Sequence, residues 1–149
     1  MTPSMPVEPP TPLSYEVIQL LVEMSARLSR NFAARAAELN LTAAEGKVLL
    51  ALEPKATLSM RGLARKLGYD ASNLTGIIDK LEDHGLVGRH TDRADRRIKN
   101  IMATDEGARV RDGLAQRLRE DAGPVSALTE PELHELRALL VRAMDSNAP

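Results

Sequence analysis

The chain has 149 residues, of which 43% are hydrophobic and 28% charged, with a formal net charge of -1 and no cysteine. That length suits one compact domain carrying at most a dimerisation appendage, and the missing cysteine excludes disulfides, thiolate metal sites, cysteine nucleophiles and thiol redox sensing. Aromatic residues make up only 2% (Tyr15, Phe32 and Tyr69), so the core must be aliphatic, which suits packed helices and not a large sheet.

Residues 1–12 hold five of the nine prolines and no apolar periodicity, which predicts a disordered, partly extended arm. An arm that crosses to a partner subunit is the alternative. Residues 13–39 contain no Gly or Pro, and Val17, Leu21, Met24, Leu28 and Phe32 recur at helical spacing, predicting a long first helix. Thr42 with Glu45 forms a capping-box pattern ahead of Val48, Leu49 and Leu52, a second helix that Pro54 closes. Ser59 caps a third, short helix with Leu63, Ala64 and Leu67 inward and Arg61, Arg65 and Lys66 outward, ended by Gly68. Asp70 caps a fourth, whose inner face is Leu74, Ile77, Ile78 and Leu81 and which stops at Gly85. Two helices joined by so tight a turn form a helix-turn-helix pattern.

Past Gly85 the period changes. Leu86 and Val87 lead to Arg89, a polar stretch covers residues 91–97, and Ile98, Ile101 and Met102 follow, predicting two short strands joined by a charged loop. Thr104 with Gly107 starts a fifth helix bearing Val110, Leu114 and Leu118, with Pro124 after it. Thr129 caps a sixth with a stripe of Leu133, Leu136, Leu139, Leu140 and Met144. The fold class is therefore mainly α with a small β-hairpin, a winged helix-turn-helix lobe plus a helical dimerisation region. Residues 13–149 form one domain, its winged lobe at about 42–104 and its dimerisation helices at about 13–39 and 105–146. The apolar stripes of the first, fifth and sixth helices exceed what one small lobe covers, and a second copy of the chain is the simplest cover.

Charge along the chain points to a partner. Residues 55–100 carry ten Lys/Arg against six Asp/Glu, and the rest carries ten against fifteen. A basic middle within a neutral protein is the footprint of duplex DNA binding. On the fourth helix Ser72, Asn73, Thr75 and Gly76 lie at the end that reaches base edges when such a helix enters the major groove, and Asn73 has the amide that pairs with adenine. Gly76 leaves room for close approach. Lys80 lies further along, where Asp79, Glu82 and Asp83 are expected to pair with it or with wing arginines. The wing carries five cations, Arg89, Arg93, Arg96, Arg97 and Lys99, and the four arginines are the candidate contacts. Arg96 or Arg97 would enter the minor groove and Asp95 would pin a neighbouring guanidinium. Ser59, Arg61 and Arg65 of the third helix complete the candidate contacts.

The stretch LARKLGYDASNLTGIIDKLEDHGLVGRHTDRADRRIKNIMATDEG resembles the multiple-antibiotic-resistance regulator (MarR) family. Leu81-Glu82, Gly85-Leu86-Val87, Arg89, Asp92, Asp95-Arg96-Arg97 and Thr104 with Gly107 follow its helix-to-wing signature in order and spacing, and with the flanking helices the likeness covers nearly all residues after Pro12. It implies a dimer formed by the terminal helices, a pseudo-palindromic operator, groove-reading positions at Ser72, Asn73 and Thr75, and a wing pair at Asp95 and Arg97. Release by a small amphipathic ligand is implied as well. Two positions depart from the pattern: Gly76 stands where a larger, frequently basic residue is common, and Gly88 where Glu is common.

An enzyme is not expected. His84, His90 and His134 fall at a helix end, in a strand and on a terminal helix, Gly46-Lys47 lacks the glycines of a phosphate loop, and no His/Asp/Glu spacing suggests a metal, so no cofactor is expected. No apolar run approaches the roughly 18 residues of a membrane helix and the N-terminus has no signal-peptide pattern, so the chain reads as cytoplasmic, without a membrane partner. The alternative function is a winged-helix module that binds protein and not DNA.

Overall fold

The first helix begins with both halves of a start signal. Thr11 Oγ1 accepts the Ser14 backbone N–H at 3.1 Å, and Pro12 takes the first helical position, where a missing N–H has no consequence. The computed structural model describes residues 11–145. The arm expected over residues 1–12 lies outside them except for Thr11 and Pro12, which belong to the helix start. Helix α1 spans Pro12–Ala37. It closes on Asn40, whose φ of 57° is left-handed, with Asn40 N–H bonded to the Ala37 carbonyl and Leu41 N–H to that of Ala36.

The chain divides into two compact units. One is Phe32–Ala122, the winged lobe. In it the end of α1 is followed by α2 (Ala43–Ala51), β1 (Leu58–Ser59), α3 (Met60–Leu67), α4 (Ala71–Asp83), β2 (Val87–Thr91), β3 (Lys99–Ala103) and α5 (Asp105–Glu120). The caps are those expected. Thr42 and Glu45 exchange both bonds of a capping box, Ser59 Oγ accepts Gly62 N–H, Asp70 accepts Asn73 N–H at 2.7 Å, and Thr104 Oγ1 accepts Gly107 N–H. Gly68 and Gly85 end α3 and α4 at φ 67° and 70°, and after each the next residue's N–H returns to the helix, Tyr69 to Ala64 and Leu86 to Leu81.

The hairpin expected from the sequence is part of a three-stranded antiparallel sheet of order β1-β3-β2. The addition is β1, where Leu58 pairs with Ile101 and Ser59 with Asn100. Two residues are too few to show alternation in a sequence. This strand ties the start of α3 to the wing. The sheet packs on an aliphatic core in which Val48, Leu49, Leu52, Leu63, Leu74, Ile78, Leu81, Ile101 and Leu114 are fully buried. Each such side chain contributes about 1.5–3 kcal/mol by leaving water.

One expectation is corrected here. The α5 stripe does not wait for an outside cover, because Leu114 is fully buried and Val110 and Leu118 pack on the lobe core. Gly46 permits this, since a Cβ there would stand 3.0 Å from Leu114 and 3.3 Å from Phe32. Gly107 permits the other close approach: a Cβ would lie 1.8 Å from the Leu86 carbonyl oxygen, which also accepts Thr104 N–H.

The second unit holds α1 up to Asn31 and the chain from Gly123, with a 3-10 turn at Gly123–Val125 and α6 at Glu130–Asp145. Its helices leave large apolar side chains in water, among them Val17, Ile18 and Leu21 of α1 and Leu133, Leu140 and Met144 of α6. No described helix is long and apolar enough to cross a membrane.

Candidate nucleic-acid interface

Every candidate contact residue falls in the lobe, on α3, α4 or the wing, with Ser59 at the end of β1 as the cap of α3. Helix α4 is fixed from one side only. Leu74, Ile77, Ile78 and Leu81 are buried, while Ser72, Asn73, Thr75, Gly76, Asp79 and Lys80 are exposed. The polar residues at its start differ in what they have left to offer. Ser72 Oγ donates to Asp70 Oδ1 at 2.9 Å and Thr75 Oγ1 donates to the Ala71 carbonyl at 2.8 Å. Each hydroxyl then presents acceptor lone pairs outward. The Asn73 side-chain amide makes no such bond, so both its donors and its acceptor are open. Gly76 faces open space, with nothing within 4 Å of a built Cβ. Bonds from Asn73 N–H, first, and from the Ser72 hydroxyl hold the Asp70 carboxyl below the usual carboxylate range, so the cap stays charged at neutral pH.

The wing joins α4 through Arg89. Its guanidinium meets Asp79 and Glu82, one helical turn apart on α4. The Asp79 hydrogen bond, against some desolvation and with help from the Glu82 charge, raises Arg89 above its ordinary value. Acidic residues on α4 do pair with a wing arginine, as expected, and that pairing commits Arg89 to holding the wing base against α4. A forked cation between two carboxylates suits that task better than meeting a phosphate.

Beyond Thr91 the loop is shaped by an aspartate that the sequence reading did not assign. Asp92 accepts the backbone N–H groups of Ala94 at 2.8 Å and Asp95 at 3.1 Å, and its other oxygen accepts from Asn100 Nδ2 at 3.1 Å. These bonds, Ala94 first, hold its carboxyl below the usual range. A carboxylate that accepts the amide two residues on forms an Asx turn, and any Asp in a polar loop can do so, so the sequence alone does not single out Asp92. The role expected of Asp95 needs correction: its carboxylate accepts the Arg97 backbone N–H at 2.9 Å, and no guanidinium is pinned there. A backbone donor two residues away is already in place, whereas an exposed arginine would lose rotamer freedom to reach it. Lys99 Nζ donates to Thr91 Oγ1 across the hairpin at 2.9 Å.

With Arg89 committed, Arg93, Arg96 and Arg97 remain exposed and, among the described residues, without a carboxylate partner. On α3, Arg61 and Arg65 are exposed, Ser59 is half-buried as the cap, and Lys66 reaches back to the Ala51 carbonyl at 3.0 Å. The lobe thus presents a fixed helix with a polar leading end beside a shaped loop with three unneutralised arginines. Such a surface supplies hydrogen-bond groups for base edges and positive charge for phosphates. Among the described residues no group of three or more His, Asp or Glu is placed to hold a metal ion.

Comparison with known proteins gives concordant likenesses. Residues 41–99 match the model of the MarR family. The chain is 28% identical over 113 residues to YfiV of Bacillus subtilis (strain 168), an uncharacterized HTH-type transcriptional regulator, across 73% of this chain and 71% of that protein. Among solved structures it is similar to a MarR-family transcriptional regulator from Rhodococcus sp. RHA1, with a TM-score of 0.74 and 31% identity over 86% of this chain and 91% of that one. It is also similar to CouR from Rhodococcus jostii RHA1 bound to p-coumaroyl-CoA, with a TM-score of 0.72 and 32% identity over the same shares, 86% and 91%.

Proposed function

The chain belongs to the MarR family of transcriptional regulators, and from that premise we propose that it is a sequence-specific repressor that grips duplex DNA as a homodimer. The observation that carries this reading is the pairing on one lobe of the exposed Ser72, Asn73 and Thr75 end of α4 with the unneutralised Arg93, Arg96 and Arg97 of the wing. Helix α4 enters the major groove, where Asn73 pairs with an adenine edge and Ser72 and Thr75 accept from the amino donors of base edges. Arg96 or Arg97 enters the minor groove, where the potential is most negative. Ser59, Arg61, Arg65, Lys80 and Arg93 meet the backbone. Asp95 sets the loop shape, and Gly76 lets the helix lie close to the bases.

The exposed apolar faces of α1 and α6 support a second copy as their cover. Two-fold symmetry then sets two reading helices about 34–36 Å apart, matching a pseudo-palindromic operator. A small-molecule ligand releases the DNA, a reading supported by the p-coumaroyl-CoA bound to the CouR relative. The protein acts in the cytoplasm without catalysis or a cofactor.

Selection from a random duplex pool tests the reading. One enriched near-palindrome with half-sites one helical turn apart is expected. Recovery of no preferred sequence, with capture of a protein partner by the same lobe, would favour the winged-helix protein-interaction module instead.

A further inference from the structure

Between α3 and the wing lies an open trough of about 560 Å³ lined by Ser59, Met60, Arg61, Asp95, Arg97, Ile98 and Lys99. A second cavity of about 370 Å³ shares the ridge of Met60 and Arg61 with the trough, and its other walls are Ala64 and the leading half of α4 at Ala71, Leu74 and Thr75. Arg61 lines both, so it stands between the reading helix and the wing.

The charge in the trough is one-sided. Arg61, Arg97 and Lys99 bring three cations, and the lone acid, Asp95, already accepts the Arg97 backbone N–H. Neither arginine has a carboxylate partner among the described residues. The Lys99 ammonium gives one bond to Thr91 Oγ1 and keeps two hydrogens. The hairpin holds Lys99 in place and β1 holds the start of α3 against β3, so the cations do not have to be gathered when a ligand arrives.

In a duplex, one sugar-phosphate strand separates each major groove from the next minor groove. If α4 occupies the first and the wing tip the second, that strand must cross whatever lies between them, which here is the Arg61 ridge and the trough. The geometry points to the trough as a phosphodiester seat, in which Arg61 and Lys99 hold the strand that divides the two grooves. Lys99 is thereby a contact residue that the family signature does not mark. The assignment rests on the duplex-binding reading above.

The test uses the full chain and a mixed-sequence duplex, so it does not depend on the operator. Binding is titrated over a range of salt concentrations for the wild type, Arg61→Ala, Lys99→Ala, Arg61→Lys and the control Arg109→Ala, whose arginine lies on α5 paired with Glu106. Each seat removed is expected to lower the salt slope by about 1 per subunit, with Arg61→Lys restoring it and Arg109→Ala leaving it unchanged. Alanine variants that keep the wild-type slope and affinity would overturn the seat while leaving the duplex-binding reading standing. Salt-insensitive or absent binding by the wild type would overturn both. A loss equal in Arg109→Ala would assign the effect to general charge and overturn the seat.

Discussion

Asn73 is the one side chain on the leading half of α4 whose hydrogen-bonding groups are all uncommitted within the subunit, since Ser72 and Thr75 already donate to Asp70 and Ala71. Sequence preference is therefore expected to depend on it, and affinity on the wing. Asn73→Ala should relax preference at one base pair per half-site and leave the salt slope nearly unchanged, whereas Arg97→Ala should weaken binding and flatten that slope. Equal effects of the two on both readouts would refute this division. Two glycines of the lobe give a second residue-scale contrast. Gly76→Ala meets open space in a helix and should raise stability by about 0.5–1 kcal/mol. Gly107→Ala forces a Cβ toward the Leu86 carbonyl and should cost about 1–3 kcal/mol, read as opposite shifts in Tm. Much of this scale was legible in the sequence, because Ser, Thr and Asp caps and left-handed glycines act through local bonds. The roles of Asp92 and Asp95 were not, since two aspartates in one polar loop differ only in which backbone amides the folded loop offers them.

At the scale of elements, the wing is a part built to hold its shape. Arg89 fixes its base to α4, Asp92 and Asn100 close its turn, and Lys99 bridges to Thr91. Asp92→Ala should speed amide exchange at Ala94 and Asp95 and weaken duplex binding with little change in Tm, because the loop lies outside the core; unchanged exchange would count against the lock. The pH dependence follows in sign. The folded pKa of Asp92 is depressed, so its contribution is present above the ordinary carboxylate value and is lost as pH falls through the folded one. Wing order should therefore persist through neutral and mildly acidic pH. Helix order and the hairpin were readable from period and caps, and β1 was not, because its two residues take their structure from β3. The α5 stripe was readable as apolar but not as already covered, since the cover depends on the close approach that Gly46 and Gly107 allow.

For the whole molecule, the lobe satisfies its own core, and apart from Ile98 in the wing the large exposed apolar side chains of the described residues lie on α1 and α6. Ile18→Glu with Leu21→Glu should shift sedimentation from twice the chain mass toward the chain mass and lower operator affinity, because one subunit engages only one half-site. Wild-type protein sedimenting at the chain mass would contradict the dimer. Periodicity showed these helices and their stripes, but no sequence pattern says which stripe folds inward and which stays exposed.

The central claim is that α4 reads bases while the wing and α3 supply the positive charge that meets the minor groove and phosphates, and it is tested most directly by titrating wild-type protein at several salt concentrations against the duplex recovered by selection and against an unrelated duplex of equal length. The recovered duplex should bind at least about 10³-fold more tightly, with both affinities falling steeply as salt rises. Equal affinity for the two duplexes, or binding indifferent to salt, would contradict it.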